Sequence, residues 1–179
     1  MDFTDLILHR QSNRAYTNRS IEKEKLMKCI EAARQAPSAC NSQPWRFIVV
    51  DDVELKKKVA QTTANRLLPL NHFTNQAPIH IVLVNEGSNF TASLGNKIKN
   101  RDFSLIDNGI AAEHFCLQAA ELGLGTCMIG WFNEKELKSL LNIPKSKRPE
   151  LIITIGYPAD EQRIKKRKNI EKIVSYNSY

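Results

Sequence analysis

The sequence predicts an α+β domain in which helices cover one buried sheet. Four short runs are rich in β-branched residues and bounded by proline, glycine, asparagine or charges, which is typical of strands: 46–50, 79–84, 126–130 and 151–156. Between these runs, apolar residues recur with helical spacing. At 179 residues, 42% of them hydrophobic, the chain is long enough for a real core, and we predict a single domain over residues 1–179.

Helices are predicted in five stretches: 2–10, 22–36, 52–65, 104–122 and 134–141. Pro37 blocks continuation of the second, and Asn133 with Glu136 forms a candidate capping box for the last. The stretch 104–122 is apolar around much of its circumference. Such a helix is covered on more than one side, so it either runs through the core or packs against a second copy of the chain.

Charge and termini limit the location and the partners. The net charge of +7 suits a nucleic-acid partner, an anionic small ligand or ordinary solubility. The basic residues are densest at 163–168, but no aromatic interleaves them, so we expect only weak, salt-dependent nucleic-acid binding. Asp2 and Asp5 argue against a signal peptide, and no run approaches the roughly 18 apolar residues of a membrane span. We therefore expect a soluble, cytoplasmic protein that binds no membrane.

Common catalytic motifs are missing from the sequence. The four cysteines form no CxxC pair and have no metal-like spacing to a histidine, so no metal site is predicted. Gly123 and Gly125 follow a helix and lack the third glycine of a dinucleotide fingerprint, and we interpret Gly123 as a helix C-cap. P-loop, HExxH and GxSxG motifs are also missing, which leaves phosphoanhydride hydrolysis, zinc proteolysis and serine-hydrolase chemistry without support.

Two polar stretches are not explained by packing. In "RQSNR" an extended backbone would point Arg10, Ser12 and Arg14 to one side, where two guanidiniums flanking a hydroxyl suit an anion. Taken alone, these five residues favour a solvated turn whose arginines pair with carboxylates elsewhere. The second stretch is "APSACNSQPW", residues 36–45. A helix stop and a buried tryptophan would explain its prolines and Trp45, but they do not explain why Ser38, Asn41 and Gln43 lie in the same turn.

In order and spacing, these segments resemble the FMN-dependent nitroreductase family. Its Arg-x-Ser-x-Arg/Lys pattern followed by an aromatic is matched by Arg10, Ser12, Arg14 and Tyr16, and its Ala-Pro-Ser-x-x-Asn-x-Gln-Pro-Trp pattern by residues 36–45. "AAELGLGTCMIGWF" and "IGYP" followed by "KKRKNIEKIV" resemble later family segments, so the likeness spans nearly the whole chain. It implies a mixed central sheet wrapped by helices, in an intertwined homodimer that binds FMN at the interface.

The resemblance also implies which residues meet the flavin. Arg14 would stand near N1 and the C2 carbonyl, where a cation raises the reduction potential, and the backbone of Gly130 would approach N5 and O4. Arg10 and Arg167 would bind the phosphate, helped by Ser12 and Lys165. The full cofactor-binding set implied is Arg10, Gln11, Ser12, Arg14, Pro37, Ser38, Ala39, Asn41, Gln43, Met128, Ile129, Gly130, Trp131, Lys165 and Arg167. Of these, Ser38, Asn41 and Gln43 would serve a flavin held mainly by the other protomer.

The implied activity is reduction of a small acceptor, such as a nitroaromatic or a quinone, by NADH or NADPH through flavin N5 in a ping-pong cycle. Three alternatives stay open: the same fold with dehalogenating, dehydrogenating or flavin-fragmenting chemistry, a flavin-binding protein without turnover, and a basic nucleic-acid-binding protein. The sequence departs from the family where a lysine usually precedes the second strand, and Asn71 or Asn75 would replace it. The stretches 62–73 and 86–103 stand where relatives carry lid helices. Functional roles for Cys40 and His72 are the less favoured interpretation.

Overall fold

The computed structural model describes residues 1–64, 70–87, 89 and 101–179. Within them the helices are α1 (Phe3–His9), α2 (Lys23–Arg34), α3 (Val53–Thr63), α4 (Phe103–Glu121) and α5 (Glu134–Leu140). The strands are β1 (Trp45–Val50), β2 (Ile79–Asn85), β3 (Gly125–Ile129) and β4 (Arg148–Gly156). Short 3₁₀ turns occupy Ala39–Asn41, His72–Gln76 and Ile170–Lys172. The predicted strands and helices are all found, with bounds shifted by a few residues. The two stretches compared with lid helices lie partly outside the described residues.

The strands form one sheet in the order β1-β2-β4-β3. Its three strand pairs are antiparallel, and a bulge interrupts the β2–β4 pair between Leu83 and Val84. A parallel bridge between Ser12 and Thr126 adds the N-terminal segment at the outer edge of β3, which gives the sheet its mixed character. The predicted α+β class with a mixed sheet wrapped by helices is confirmed.

Helices cover both faces of the sheet, and the alternation of side chains along each strand decides which helix a residue meets. On β2, Ile81 and Leu83 point to the α2–α4 side, whereas Val82 and Val84 point to the side of α3 and α5. Nearly every residue of β2 is buried, as expected for a central strand with helices on both faces. One core therefore lies above the sheet and a second lies below it.

Local sequence signals explain where helices begin and end. The Asn133 side chain accepts a hydrogen bond from the Glu136 backbone amide, so the predicted N-cap of α5 is confirmed. The Asn133 side-chain amide donates to the Glu136 carboxylate, but its backbone amide donates to the Thr62 carbonyl, so the reciprocal bond of a full capping box is not formed. Gly123 has a φ of +75°, the left-handed conformation that a C-cap glycine supplies after α4. Asp52 accepts from the Leu55 amide at the start of α3. These caps fix the chain directions that lead into the strands.

A buried polar cluster links α3 to β2. The Thr63 and Thr74 hydroxyls lie 2.9 Å apart, and His80 Nε2 donates to the Thr74 carbonyl at 3.1 Å. His80 is fully buried, and its Nδ1 is without a partner within the described residues. Burial lowers the pKa of His80 to about 4, partly offset by the Thr74 carbonyl, with nearby Lys56 lowering it further. The imidazole is therefore neutral in the folded protein near pH 7.

Helix α4 packs across the sheet beside α2, yet it leaves apolar side chains in the open. Leu105 and Ile106 are each 48% exposed near its beginning, while Ala111, Phe115 and Ala119 are buried. Within one chain the helix is covered on its sheet side only at these positions, and packing of the exposed side chains against a second copy stays a prediction. Among the described helices, none combines the length and apolar character needed to cross a membrane.

Candidate functional site

The segment 10–14 lies along the free edge of β3 in extended conformation. The Asn13 amide donates to the Thr126 carbonyl at 2.8 Å, next to the Ser12–Thr126 bridge. Side chains alternate as predicted: Gln11 and Asn13 are 9% and 5% exposed, whereas Arg14 is exposed. The segment is therefore held beside β3 by one bridge and one backbone hydrogen bond, with Arg10, Ser12 and Arg14 on the side away from its buried amides. Ser12 is half-buried there, and its side chain hydrogen bonds to the Cys127 thiol.

The buried side of this segment is hydrogen bonded to the chain that follows β4. Gln11 donates to the Glu161 carbonyl at 2.9 Å and accepts from the Arg163 amide at 3.0 Å. Asn13 donates to Asp160 Oδ1 at 2.7 Å, and the Arg14 amide donates to Asp160 Oδ2 at 3.0 Å. The Arg163 guanidinium also donates to the Ser12 carbonyl. Residues 160–163 thereby hold the whole polar segment in place.

Basic side chains gather around the open side. Arg10 pairs with Glu113 of α4 at 3.1 Å, and Lys165 donates to the Ile7 carbonyl. Partial burial lowers the pKa of Lys165, and repulsion from Arg10 and Arg167 lowers it further. That repulsion shows three cations within electrostatic reach of one another, with Glu113 as the acidic group that partly offsets it.

This cation cluster fits the phosphate of the predicted FMN. A phosphate monoester carries nearly two negative charges at neutral pH and offers three acceptor oxygens. Such an anion would relieve the repulsion among Arg10, Lys165 and Arg167, and guanidiniums bind phosphate oxygens in pairs. The structure thus brings together the residues that the sequence predicts for the phosphate.

The loop 37–43 has a different construction. The Ser38 hydroxyl accepts from the Gln43 amide at 3.0 Å, and the Ala39 amide donates to the Asp107 carboxylate at 3.2 Å. The Asn41 and Gln43 side chains are exposed and contact each other at 3.0 Å, and Pro37 is exposed as well. Three residues have positive φ without being glycine: Cys40 at 52°, Asn41 at 50° and Gln43 at 48°. Positive φ at three non-glycine residues in so short a loop is uncommon and gives the loop a backbone that residues with a Cβ rarely adopt.

The end of β3 supplies the third predicted part. Ile129 is buried and Met128 packs toward the α2–α4 core, so these side chains are structural. Gly130 is exposed, and a Cβ there would meet nothing closer than Leu151 Cδ2 at 4.0 Å. Internal packing therefore does not demand glycine, and the bare backbone faces outward. Trp131 follows with 67% of its surface exposed, an unusual position for an indole.

Within one chain, the two polar segments lie at diagonally opposite corners of the sheet. Ser12 lies outside β3 at the Thr126 end, and Trp45 begins β1 beside Asn85, at the other edge and the other end. Strand spacing and rise put about 15–20 Å across the strands and about 20 Å along them between Ser12 and Trp45. The chain's own loop 37–43 is thus remote from its own segment 10–14.

Other polar candidates have structural duties. Asn71 has a φ of 59° and donates its side-chain amide to the Thr63 carbonyl at 3.2 Å, whereas Asn75 and His72 are exposed. Cys40 is an exposed free thiol, and its carbonyl accepts from the Asn89 side chain. A flavin contact by Asn71 or Asn75, and a role for Cys40 or His72, stay predictions.

Comparison with known proteins gives the family. A model described as the nitroreductase family matches residues 7–157. The chain belongs to the nitroreductase family. The NAD(P)H FMN reductase of Bacillus subtilis strain 168 is 31% identical over 183 residues, covering 96% of this chain and 71% of that protein. The structure of an FMN-dependent nitroreductase from Clostridium difficile R20291 has a TM-score of 0.80 at 31% identity, covering 99% of this chain and all of that one. An iodotyrosine deiodinase of Thermotoga neapolitana is 26% identical over 195 residues, covering 98% and 97%.

Sequence reasoning missed two residues that hold the segment 10–14 in place. Asp160 and Arg163 follow the region matched by the family model, and both hold the segment 10–14. The signal was available in part, because the alternation that exposes Ser12 also turns Gln11 and Asn13 inward, where two amides need partners. Their partners could not be named, since nothing local relates positions 150 residues apart.

Proposed function

We propose that this nitroreductase-family enzyme transfers electrons from NADH or NADPH to a small acceptor such as a nitroaromatic or a quinone. FMN is the cofactor, as the named relatives and the family indicate. The observation that carries the proposal is the cluster of Arg10, Lys165 and Arg167 beside Ser12, because these cations would bind a phosphate where the resemblance expects one.

The described residues divide the work among binding, orientation and electrostatics. Bound FMN would supply the two-electron chemistry between the nicotinamide and the acceptor. The exposed Arg14 guanidinium would hold positive charge at the pyrimidine edge, where reduction builds up negative charge. The bare backbone at Gly130 would let a donor approach the ring edge closely. The exposed Trp131 ring would give a flat apolar acceptor a surface to rest on.

The active unit that we propose is a homodimer with composite sites. One protomer supplies the segment 10–14 and the cations, and its partner supplies the loop 37–43. The diagonal separation of these two parts within one chain supports this arrangement. Exposed Leu105 and Ile106 on α4 add apolar surface that a second copy would bury. Two-fold symmetry would make both sites equivalent.

Purified protein tests the function directly. We expect it to be yellow, to release FMN on denaturation, and to lose its oxidised-flavin absorbance anaerobically when NADH or NADPH is added. A nitroaromatic or a quinone added afterwards should restore the absorbance. Protein that stays colourless and takes up no added FMN would contradict the cofactor, and flavin that neither nucleotide reduces would leave a binding protein without turnover.

Dehalogenation is the second candidate, favoured by the deiodinase among the relatives. A halogenated phenol would then reoxidise the reduced flavin and release halide, whereas a nitroreductase-type enzyme would leave the carbon–halogen bond intact. An ion-selective electrode during a single anaerobic turnover separates the two.

The cytoplasmic location stays a prediction that localisation of the tagged chain would test.

A further inference from the structure

Asp160 lies on the buried side of the segment 10–14 and accepts two hydrogen bonds from it. Its Oδ1 accepts from the Asn13 side-chain amide at 2.7 Å, and its Oδ2 accepts from the Arg14 backbone amide at 3.0 Å. One carboxylate therefore fixes both the buried side of the segment and the peptide plane that leads into Arg14. Asp160 also lies 3.8 Å from the Arg163 guanidinium, which donates to the Ser12 carbonyl.

We propose that Asp160 is a positioning residue for the flavin site, which it serves by locking the backbone of Asn13 and Arg14. The lock matters because an edge strand with period two presents alternate residues to opposite sides. With Asn13 held inward, Ser12 and Arg14 are left on the opposite side of the segment, where the proposed cofactor would lie. This inference rests on the proposed function, since it assigns a purpose to the outward side.

A glycine confirms that the inward position of Asn13 is built into the sequence. A Cβ on Gly125 would lie 2.7 Å from both Cγ and Oδ1 of Asn13, closer than such atoms ever approach. Glycine at this first position of β3 is thus the residue that leaves room for the Asn13 side chain. Asp160 pulls Asn13 from one side and Gly125 admits it from the other, so the two residues act on the same contact.

The charge of Asp160 is matched to the task. Main-chain amides and a carboxamide are donors, and an ionised carboxylate offers only acceptors, so both oxygens are used without a competing donor. Asparagine at this position would keep one acceptor for the Arg14 amide. Its own amide could donate to Asn13 after the Asn13 carboxamide turns over, which preserves much of the lock. Alanine would keep neither bond.

Titration of FMN into apoprotein, followed by flavin fluorescence, tests the proposal. We expect Asp160→Ala to weaken FMN binding about tenfold, the lower end of what loss of an outer hydrogen-bond partner does at metal sites. Asp160→Asn should stay within about threefold of the unaltered protein. Glu161→Ala is the matched control, because it removes the neighbouring exposed carboxylate, which makes no side-chain hydrogen bond or ion pair within the described residues, and keeps the backbone carbonyl that accepts from Gln11.

Hydrogen exchange on the same apoproteins gives a readout that needs no cofactor. The amides of residues 13–15 should exchange faster in Asp160→Ala, and in Gly125→Ala, while those of β2 and β4 stay protected. Uniformly faster exchange would show general loosening and overturn the positioning role. If Asp160→Ala does not fold, Asp160→Ser, which is too short to reach both donors, should reproduce its pattern.

The outcomes separate this inference from the proposed function. Arg10→Ala serves as the reference for losing the phosphate site. Weakened binding by Arg10→Ala with unaltered affinity and exchange in Asp160→Ala would overturn the positioning role and leave the function standing. Unaltered affinity in Arg10→Ala would overturn the phosphate site and with it the positioning role of Asp160, while anaerobic reduction of bound flavin by NADH or NADPH would still decide the proposed function.

Discussion

Residues 10–14 and residues 37–43 carry the two predicted halves of the flavin site, and the chain holds them differently. The first segment is paired with β3 on one side and hydrogen bonded to residues 160–163 on the other. The loop holds three non-glycine residues at positive φ and exposes Asn41 and Gln43. A segment fixed by its own chain is organised before a ligand arrives, whereas an exposed loop with this backbone fits the proposed role of reaching a partner's flavin.

Mixed dimers give the largest expected effect, from no activity to a substantial fraction. Arg10→Ala damages the first half and Asn41→Ala the second, so each homodimer should be inactive. In a mixed dimer one site collects both changes and the other collects neither. With random pairing, roughly a quarter of all sites regain the unaltered composition, and activity per site should recover to that extent.

A matched mixture shows whether that recovery reports composite sites. When chains with Arg10→Ala are mixed with chains with Ser12→Ala, both changes fall in the segment 10–14. Every site in the mixed dimer then carries one change and stays damaged. No recovery in the first mixture, when mixed dimers are shown to form, would mean that both halves serve the same chain's flavin. Recovery in the matched mixture would mean that Arg10 and Ser12 serve different sites, and it would contradict the proposed make-up of the first half.

Acid pH should lower the free energy of unfolding of the whole domain. Differences between the segment 10–14 and the loop 37–43 cannot then be measured in folded protein. The pKa of His80 is lowered to about 4 in the fold, from about 6.5 in an unfolded chain. The stability that comes from keeping it neutral is fully present above pH 6.5 and is lost as pH falls toward 4. The loss amounts to about 3 kcal/mol. Chemical denaturation across this range measures it.

Two variants isolate the contribution of His80. His80→Gln should lower overall stability yet flatten the dependence on pH between 4 and 6.5, because it removes the group that gains a proton on unfolding. His72→Gln changes an exposed histidine and should keep the slope of the unaltered protein. If the free energy of unfolding of both variants has the same dependence on pH, groups other than His80 cause the acid sensitivity. In either case the two halves of the site should be compared above pH 6.5.

Arg14 tests whether the fixed half also tunes the cofactor. Its guanidinium is exposed, so screening keeps its effect on a reduced, anionic flavin to about 1–2 kcal/mol. Arg14→Met should therefore lower the two-electron midpoint potential by about 20–40 mV, since 30 mV corresponds to about 1.4 kcal/mol. FMN affinity should fall less than in Arg10→Ala. Arg19→Met changes an exposed arginine outside the site, and an equal shift there would remove Arg14 from the electrostatics.

The sequence predicts the fold well because its signals are local. Capping at Asn133, the C-cap at Gly123 and the apolar strand runs each depend on a few neighbouring residues. The alternation in residues 10–14 is local too, and the structure agrees with it. The lock by Asp160 was missed because its partners lie about 150 positions away along the chain. The positive φ angles at 40, 41 and 43 were missed because cysteine and glutamine do not signal that conformation and asparagine signals it only weakly.

Relief of backbone strain in the loop 37–43 gives the smallest expected effect. It tests whether the positive φ of Cys40 costs the fold stability. Cys40 has a φ of 52°, a conformation that disfavours any residue with a Cβ. Cys40→Gly should stabilise the protein by about 0.5–1 kcal/mol, because relief of that strain exceeds the extra freedom gained by the unfolded chain. Cys40→Ala keeps the Cβ and should bring no gain. Ala15→Gly, at a position without positive φ beside the fixed segment, should destabilise by a similar amount. Equal stability of the glycine and alanine variants at position 40 would show that the loop is unstrained, and its unusual backbone would then have to be explained by contacts within this chain.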